Sequence, residues 1–307
     1  MRILITGGTG LIGRALCSRW GAQGHELVVW SRTPERVPAL CAGARGIAAL
    51  HALDGVEPFD AVVNLAGAPI ADRPWTAHRR RVLWRSRIDL TRELVDWLGQ
   101  RAQRPRVFLS ASAIGWYGDR GNEHLDEDSR PGEGDFGSQL CVAWEEEAKR
   151  AERLGTRVIL LRTAPVLARH GGMLPRLRLP FSIGFGSALG GGRQWMPWIH
   201  LDDEVGLIDF LLQREDCRGV FNACAPHLVC NTEFSRALAR AVHRPMLFCV
   251  PAWVLRIALG EMSILLLGSQ HVKPRRAMEA GYRFRFPYLE GALSDLLTVM
   301  KRDGLGV

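Results

Sequence analysis

The chain opens with Met1-Arg2-Ile3-Leu4-Ile5-Thr6-Gly7-Gly8-Thr9-Gly10-Leu11-Ile12-Gly13, and this stretch decides its fold. An apolar run typical of a β-strand passes into three glycines spaced three residues apart, and an amphipathic stretch typical of a helix follows. In such a unit Gly7 allows a tight turn, Gly10 lets the backbone approach a pyrophosphate, and Gly13 lets helix and strand pack closely. The N–H groups that begin the helix then face the anion. We therefore predict a dinucleotide-binding βαβ unit whose contacts are Gly7, Thr9, Gly10, Leu11, Ile12 and Gly13.

The end of the second predicted strand, Glu26 to Trp30, indicates which dinucleotide binds. An NAD site usually has Asp or Glu there, which accepts hydrogen bonds from the 2′-hydroxyl of the adenosine ribose. This chain has Ser31 and Arg32 instead. A guanidinium can bind a 2′-phosphate through charge-assisted, bidentate hydrogen bonds. We therefore expect NADP rather than NAD as the cofactor; the alternative is that Arg32 is a solvated loop arginine.

Length and composition are those of an ordinary globular protein. The chain has 307 residues, of which 47% are hydrophobic and 23% charged, enough for one large α/β domain or a domain with a smaller lobe. Because the first predicted strand begins at Arg2, we expect no N-terminal signal and a cytoplasmic location. Seven scattered cysteines favour reduced thiols. We expect no metal site, since Cys224-x-x-His227-x-x-Cys230 lacks a Cys-x-x-Cys pair.

The positive charge raises the question of partners. The net charge is +8, and the densest basic run is His78-Arg79-Arg80-Arg81. Because that run belongs to a helix-like stretch with apolar residues, we expect a solvated helix face and no nucleic-acid partner. The most apolar segment, Trp253 to Leu267, contains Arg256 and Glu261 and is too short to span a bilayer. We interpret it as a buried helix pair and expect no membrane partner.

Strands and helices alternate over the first half of the chain, which predicts a doubly wound parallel α/β sheet, a Rossmann fold. The further predicted elements are strands at Ile47–Leu50, Phe59–Asn64, Val107–Ser110 and Arg157–Leu161, and helices at Ala77–Arg101 and Phe136–Leu154. In the second helix Glu145 and Lys149 have the spacing of an i,i+4 pair. Ligands bind at the carboxyl ends of such strands, where Asn64–Gly67, Ser110–Ser112 and Thr163–Val166 lie.

The alternation breaks down after about residue 166. We predict an NADP-binding domain over residues 1–166, whose sheet is completed by parts of 200–225. Residues 167–307 then form a smaller C-terminal lobe for a substrate or partner. Near its start, Leu201-Asp202-Asp203 offers an Asp as the N-cap of a helix that runs through Leu212.

Several runs together carry a family resemblance. They are Thr6–Gly13, Asn64–Gly67, Ser86-Arg87, Ser110–Ser112, Trp144-Glu145, Trp198–Asp203, Phe221-Asn222, Gly268–Gln270 and Gly281-Tyr282. With them the chain resembles the extended short-chain dehydrogenase/reductase superfamily, and more closely its atypical epimerase-family branch of the YfcH type, over essentially its whole length. The resemblance implies NADP contacts beyond the glycine turn. With the predicted crevice, they are Ser31, Arg32, Asn64, Leu65, Ala66, Arg87, Ser110 and Val166.

The catalytic residues of that superfamily are only partly present. The resemblance implies a Ser, a Tyr and a Lys four residues after the Tyr, which lowers the Tyr pKa for proton transfer. No tyrosine here is followed by Lys at that spacing, and the expected Tyr and Lys positions hold Gly137 and Cys141. Ser112 stands at the position of the catalytic hydroxyl, or it caps loop amides. Tyr117 could supply a proton or be a packed loop aromatic, and His200 could donate to a substrate or be structural.

Two functions therefore stay open. The first is an NADP(H)-binding, epimerase-like oxidoreductase with a non-standard proton donor, acting on an unknown substrate such as a nucleotide sugar or a carbonyl compound. The second is a catalytically silent NADP(H)-binding sensor or regulatory protein that signals to a partner. A nucleic-acid-binding protein on a Rossmann scaffold ranks last.

Overall fold

A parallel sheet lies at the centre of the protein in this computed structural model, which describes residues 1–55 and 58–302. The strands in that part of the chain are β1 (Arg2–Thr6), β2 (Glu26–Trp30), β3 (Arg45–Ile47), β4 (Ala61–Asn64), β5 (Val107–Ala113), β6 (His124–Leu125), β7 (Arg157–Thr163), β8 (Val166–Ala168), β9 (Gly171–Gly172), β10 (Ser187–Leu189), β11 (Ile199–His200), β12 (Gly219–Ala223), β13 (Phe248–Val250) and β14 (His271–Val272). Seven of the described strands form the main sheet, in the order β12–β7–β5–β4–β1–β2–β3. All its pairings are parallel, which confirms the predicted fold class.

Helices cover both faces of this sheet. Over the described residues they are α1 (Leu11–Ala22), α2 (Val37–Leu40), α3 (Ala77–Trp84), α4 (Leu90–Gln100), α5 (Phe136–Lys149), α6 (Leu174–Ser182), α7 (Leu201–Gln213), α8 (Asn231–Ala241), α9 (Ala252–Leu259), α10 (Ile264–Leu267), α11 (Arg275–Glu279) and α12 (Leu289–Arg302). A π-turn at Arg85–Asp89 joins α3 to α4. None of these helices is both long and apolar enough to cross a membrane.

The strands are largely apolar because both faces of the sheet are buried. Ile3, Leu4 and Ile5 of β1 are all fully buried. Ile3 and Ile5 pack with Trp20 of α1 in one core cluster. Leu4 packs on the other face, in a cluster that includes side chains of α4. A continuous apolar run rather than an alternating one is what a parallel sheet covered on both sides requires.

The strand order reverses beside β1. From β1 the chain continues to β2 and β3 on one side, and β4 then pairs with β1 on the other side. Thr6, at the end of β1, lies opposite Trp30 on one neighbour and Asn64 on the other. A crevice opens at such a reversal, at the carboxyl ends of the strands, and ligands of doubly wound sheets bind there.

The C-terminal part of the chain contributes a strand to the main sheet and also forms a separate hydrophobic core. β12 pairs with β7 and completes the main sheet from within residues 200–225. A separate core cluster joins α6, α8 and α12 through residues that include Leu174, Phe234 and Leu293. Small sheets of β10 with β13 and of β8 with β9 and β11 accompany them.

Two predictions for this part of the chain are wrong. α7 begins at Leu201, so its N-cap is His200, whose Nδ1 accepts a hydrogen bond from the Asp202 N–H at 3.0 Å. The predicted Asp cap fails because both aspartates already lie inside the helix. The expected buried helix pair also fails, since α9 has no buried residue.

Candidate functional site

The glycine turn has the geometry that the sequence predicts. Gly7 has a φ of +68°, and a Cβ there would lie 2.6 Å from the carbonyl carbon and oxygen of Leu65. A Cβ at Gly13 would lie 2.4 Å from the carbonyl oxygen of Gly7. Only glycine at position 7 lets the turn lie against the end of β4. Only glycine at position 13 lets the start of α1 lie against the turn.

The N-terminus of α1 is open to an anion. Its N-cap is Gly10, which provides no side-chain cap, and its first turn has no acidic residue. The Arg14 side chain donates from Nε to the Thr9 carbonyl at 2.7 Å, so a guanidinium lies beside the same turn. N–H groups at a helix start, the helix dipole and a nearby cation all favour negative charge. This end of the helix suits a phosphate group.

The end of β2 carries a second site for negative charge. The Ser31 N–H donates to the Ile47 carbonyl, and its hydroxyl oxygen accepts from the Thr33 N–H at 3.2 Å. Arg32 is exposed, and within the described residues it forms no ion pair. The guanidinium is therefore available to a ligand at the edge of the crevice.

Two predicted contacts, Asn64 and Ser110, have side chains that are committed to the protein interior. The Asn64 amide accepts from the Thr6 hydroxyl at 2.6 Å and donates to the hydroxyls of Thr91 at 2.8 Å and Ser110 at 3.2 Å. Both predicted residues are fully buried. These bonds tie β1, β4, β5 and α4 together. A cofactor at this end of β4 would therefore meet the backbone that follows Asn64 and not the Asn64 side chain.

The loop after β4 and the π-turn lie together at the carboxyl edge of the sheet. The loop contains Leu65 and Ala66, and the π-turn contains Arg87. The Ala66 N–H donates to the Thr6 hydroxyl at 3.1 Å, which fixes the loop. A Cβ on Gly67 would lie 2.9 Å from Arg87 Cζ. Burial lowers the pKa of Arg87 to about 10, and within the described residues no carboxylate pairs with it. A desolvated cation without an anion next to the loop is a candidate ligand-binding group.

The loop that follows β7 returns to the glycine turn. Val166 begins β8, and its carbonyl accepts from the Met173 N–H at 3.0 Å. A Cβ on Gly171 would lie 3.1 Å from Leu11 Cδ1. The structure thus brings Val166 and the start of α1 into the same neighbourhood, as the sequence predicts.

The hydroxyls of Ser112 and Tyr117 lie inside a buried polar network. The Ser112 hydroxyl donates to Glu145 Oε1 at 2.7 Å. The Tyr117 hydroxyl donates to Asn222 Oδ1 at 2.7 Å and accepts from Arg162 Nη1 at 3.1 Å. Tyr117 is completely buried, and burial raises its pKa. Tyr117 therefore does not point into an open crevice; a catalytic role for the two residues stays a prediction.

A buried ion pair that the sequence did not predict is the centre of this network. Arg162 binds Glu145 through two hydrogen bonds of 2.8 and 2.9 Å, and their side chains are 2% and 0% exposed. Ser112 and Asn222 are the register partners of Arg162 on the two neighbouring strands, so the three side chains share one face. The predicted pair with Lys149 is therefore wrong. A signal was available, because an arginine in a buried central strand requires a buried partner.

The positions expected for the superfamily's Tyr and Lys lie in the first half of α5, next to the turn that follows β5. A Cβ on Gly137 would lie 3.7 Å from the Trp75 ring. Cys141 Sγ lies 3.5 Å from the Cβ position of Gly115. Burial raises the pKa of Cys141 to about 12, so this thiol stays protonated at neutral pH.

A buried carboxyl group supports the loop after β7. Glu204 of α7 is fully buried and accepts a hydrogen bond from the Thr163 hydroxyl at 2.8 Å through Oε1. Its Oε2 has no hydrogen-bond partner among the described residues. Burial raises the pKa of Glu204 to about 8, so the group is largely protonated at neutral pH.

Glu204→Gln should change how stability depends on pH. A Glu of the unfolded chain titrates near 4.5, whereas the folded one titrates near 8. Between these values the folded state keeps a proton that the unfolded state has released, so wild-type stability falls as pH rises. The variant lacks this loss, and from about pH 5 to pH 8 its stability relative to wild type should improve by about 2–4 kcal/mol.

Urea unfolding at both pH values measures this effect, with the exposed Glu146→Gln as the control. A difference between Glu204→Gln and wild type that is equal at the two pH values would contradict it.

The chain is similar in sequence to known proteins over most of its length. The sequence profile of the NAD dependent epimerase/dehydratase family matches residues 3–224, and a domain of unknown function, DUF1731, matches residues 250–296. The chain is 36% identical to the mouse epimerase family protein SDR39U1 over 300 residues, which cover 97% of this chain and 100% of that protein. It is 34% identical to the epimerase family protein YfhF of Bacillus subtilis over 98% of this chain and 99% of that protein.

Solved structures give the same result. The crystal structure of human SDR39U1 (isoform 2) with NADPH superimposes with a TM-score of 0.87 at 32% identity, over 97% of this chain and 99% of that one. UDP-glucose 4-epimerase of Thermotoga maritima, at 18% identity and a TM-score of 0.80 over the whole of both chains, shares the fold. The resemblance in the sequence is confirmed, and the chain belongs to the NAD dependent epimerase/dehydratase family.

Proposed function

We propose that this chain is an NADP(H)-binding, epimerase-like oxidoreductase of the cytoplasm that acts on a small molecule such as a nucleotide sugar or a carbonyl compound. The observation that carries the proposal is an uncapped helix N-terminus behind a glycine turn, together with the exposed Arg32 at the end of the next strand. The first suits a diphosphate and the second a 2′-phosphate. The NADPH-bound structure of human SDR39U1 supports the same cofactor here.

The residues around the crevice fit this dinucleotide. The N–H groups of the first turn of α1 would hold the diphosphate. Ser31 and Arg32 would hold the adenosine end, and the backbone at Leu65 and Ala66 would border the middle of the molecule. Arg87 adds a positive charge that lacks a carboxylate partner in the described part of the chain. Its charge would be compensated by a phosphate or a substrate anion.

When bound, the nicotinamide supplies or accepts the hydride of the reaction. The Ser112 hydroxyl already donates a hydrogen bond to Glu145, and the Tyr117 hydroxyl donates one to Asn222. We therefore assign both hydroxyls to the network that joins β5 and α5 to β7 and β12. A group outside this buried network would donate the proton to the substrate.

Arg32→Ala should weaken NADPH binding by about 10- to 30-fold, because a hydrogen bond to a charged group contributes about 1.5–2 kcal/mol. NADH has no 2′-phosphate, so its affinity should change little. Titration calorimetry or fluorescence with both nucleotides measures the two effects.

Arg104→Ala is the control for this experiment, because Arg104 is also exposed but lies after α4, away from the crevice. Equal losses for NADPH and NADH with Arg32→Ala, or no loss at all, would remove the basis for NADP(H) selectivity.

A second candidate function is a silent NADP(H) sensor that signals to a partner protein. It is favoured by the positions where the superfamily has Tyr and Lys, which here hold Gly137 and Cys141. Neither Ser112 nor Tyr117 has a free hydroxyl that could replace that pair.

Deuterium transfer distinguishes these two functions. NADPH labelled at the transferable hydrogen is incubated with the protein and panels of carbonyl compounds and nucleotide sugars. Label in any acceptor supports the enzyme. No transfer with intact NADPH binding, together with a protease digestion pattern that differs between NADPH and NADP⁺, supports the sensor.

A further inference from the structure

Large apolar side chains protrude from one part of the C-terminal lobe. We call this surface the apolar face and define it by Ile183, Phe185, Leu247, Phe248, Trp253 and Ile257. The exposed fractions of these residues run from 51% for Phe248 to 78% for Ile257. Isolated exposed apolar residues are ordinary, but a cluster of them indicates a contact surface.

The members of the apolar face come from connected elements. The rings of Phe185 and Phe248 are stacked, with centroids 6.0 Å apart. Phe248 is the first residue of β13. It lies opposite Ser187 of β10, which is two residues after Phe185 in the chain. One residue after β13 the chain enters α9, where Trp253 and Ile257 are one turn apart and share a face. No residue of α9 is buried, although six of its eight residues are aliphatic.

The two chain segments that build the apolar face carry charged side chains of one sign only. The two segments that build it, residues 173–193 and 243–260, contain five arginines and no Asp or Glu. These arginines are Arg176, Arg178, Arg193, Arg244 and Arg256. The nearest acidic residue in sequence, Glu261, forms an ion pair with Arg80 of α3. A protruding apolar surface surrounded by positive charge therefore fits a partner with negative charge at its surface and apolar groups beneath.

We propose that the apolar face docks on the anionic surface of a lipid bilayer. Trp253, Ile257 and the two phenylalanines would enter the boundary between headgroups and acyl chains, where aromatic side chains are favoured. The exposed Arg193, Arg244 and Arg256 would lie among the phosphates. At eight residues α9 is only about 12 Å long, so it would lie in the interface rather than span the bilayer.

The same features argue against a second copy of the chain as the occupant. In a two-fold symmetric contact the same patch faces itself, so the arginines of these segments would approach their equivalents in the other copy. The exposed side chains also project outwards, which suits a fluid interface more than the preformed pocket of a rigid protein. The proposal departs from the expectation of no membrane partner, which rested on a buried helix pair that α9 does not form.

Sedimentation of the full chain with lipid vesicles tests the proposal. The protein should pellet with phosphatidylcholine vesicles that contain phosphatidylglycerol, and much less with phosphatidylcholine alone or at high salt. Trp253→Ser combined with Ile257→Ser should weaken binding by about tenfold or more. Arg256→Ala should weaken it by about fivefold.

Two control variants change exposed residues elsewhere. Met278→Ser removes an apolar side chain that is 53% exposed, and Arg218→Ala removes an exposed charge. Both should bind vesicles like wild type, and the thermal midpoints of all variants should agree. Absence of vesicle binding would overturn the proposal, and so would equal effects of test and control variants. A concentration-dependent dimer or a complex with an acidic protein that Trp253→Ser and Ile257→Ser disrupt, without vesicle binding, would also overturn it.

Discussion

Arg162→Met should destabilise the protein by about 3–5 kcal/mol, because it leaves the Glu145 carboxylate buried without its partner. One further group loses a hydrogen bond in this variant. Tyr117 loses the donor to its hydroxyl oxygen, and the ion pair that aligns β7 with α5 disappears. Urea unfolding near neutral pH measures the loss as a change in the free energy of unfolding.

The double variant Arg162→Met with Glu145→Leu separates the ion pair from its surroundings. Replacing both charges by apolar groups removes the unpaired carboxylate, so the double variant should be more stable than Arg162→Met alone. Arg214→Met is the matched surface control, because the Arg214–Asp216 pair is solvent-exposed and its loss should leave the free energy of unfolding nearly unchanged. A loss of under about 1 kcal/mol for Arg162→Met would mean that water solvates Glu145 in the folded protein.

Gly7→Ala should lower NADPH affinity by about 100-fold or more. Its Cβ would lie 2.6 Å from the backbone of Leu65, and its φ of +68° is unfavourable for Ala. The turn must move away from β4, which displaces the N–H groups at the start of α1. Two charge-assisted hydrogen bonds lost at about 1.5 kcal/mol each correspond to this factor. Titration with NADPH measures it.

Gly24→Ala separates the effect of backbone strain from the effect of the close contact with Leu65. Gly24 has a φ of +77°, and nothing lies within 4 Å of its Cβ position, so this variant has the same backbone strain without the contact. It should lose about 1 kcal/mol of stability and keep its NADPH affinity. If Gly7→Ala binds NADPH as well as Gly24→Ala does, the close approach to Leu65 is irrelevant to the cofactor.

The sequence predicted those features that short segments determine. The glycine turn, the apolar strands and the parallel sheet depend on local spacing, and the structure has them within a few residues. The third strand ends at Ile47 rather than Leu50, since Leu50–Leu53 forms a 3-10 turn. The predicted contacts at Gly7 and Arg32 lie at the carboxyl edge of the sheet, as expected for the crevice.

The sequence could not predict features that depend on distant parts of the chain. Asn64 and Ser110 were expected at the cofactor, but their side chains bond each other because β4 and β5 pair in that register. Glu145 meets Arg162 because α5 packs against β7, which the sequence of neither segment reveals. The hydropathy of α9 matches a buried helix, and only the tertiary structure reveals that none of its residues is buried.

The environment of Cys141 determines which charge this position tolerates. Arg87 and Arg162 both act on this thiol electrostatically, and Glu145 is the carboxylate that acts on it. Cys141→Lys would therefore place a third positive charge beside two guanidinium groups, and their repulsion would lower the pKa of the new lysine. Introducing a lysine into α5 at this position thus calls for a compensating change of charge next to it.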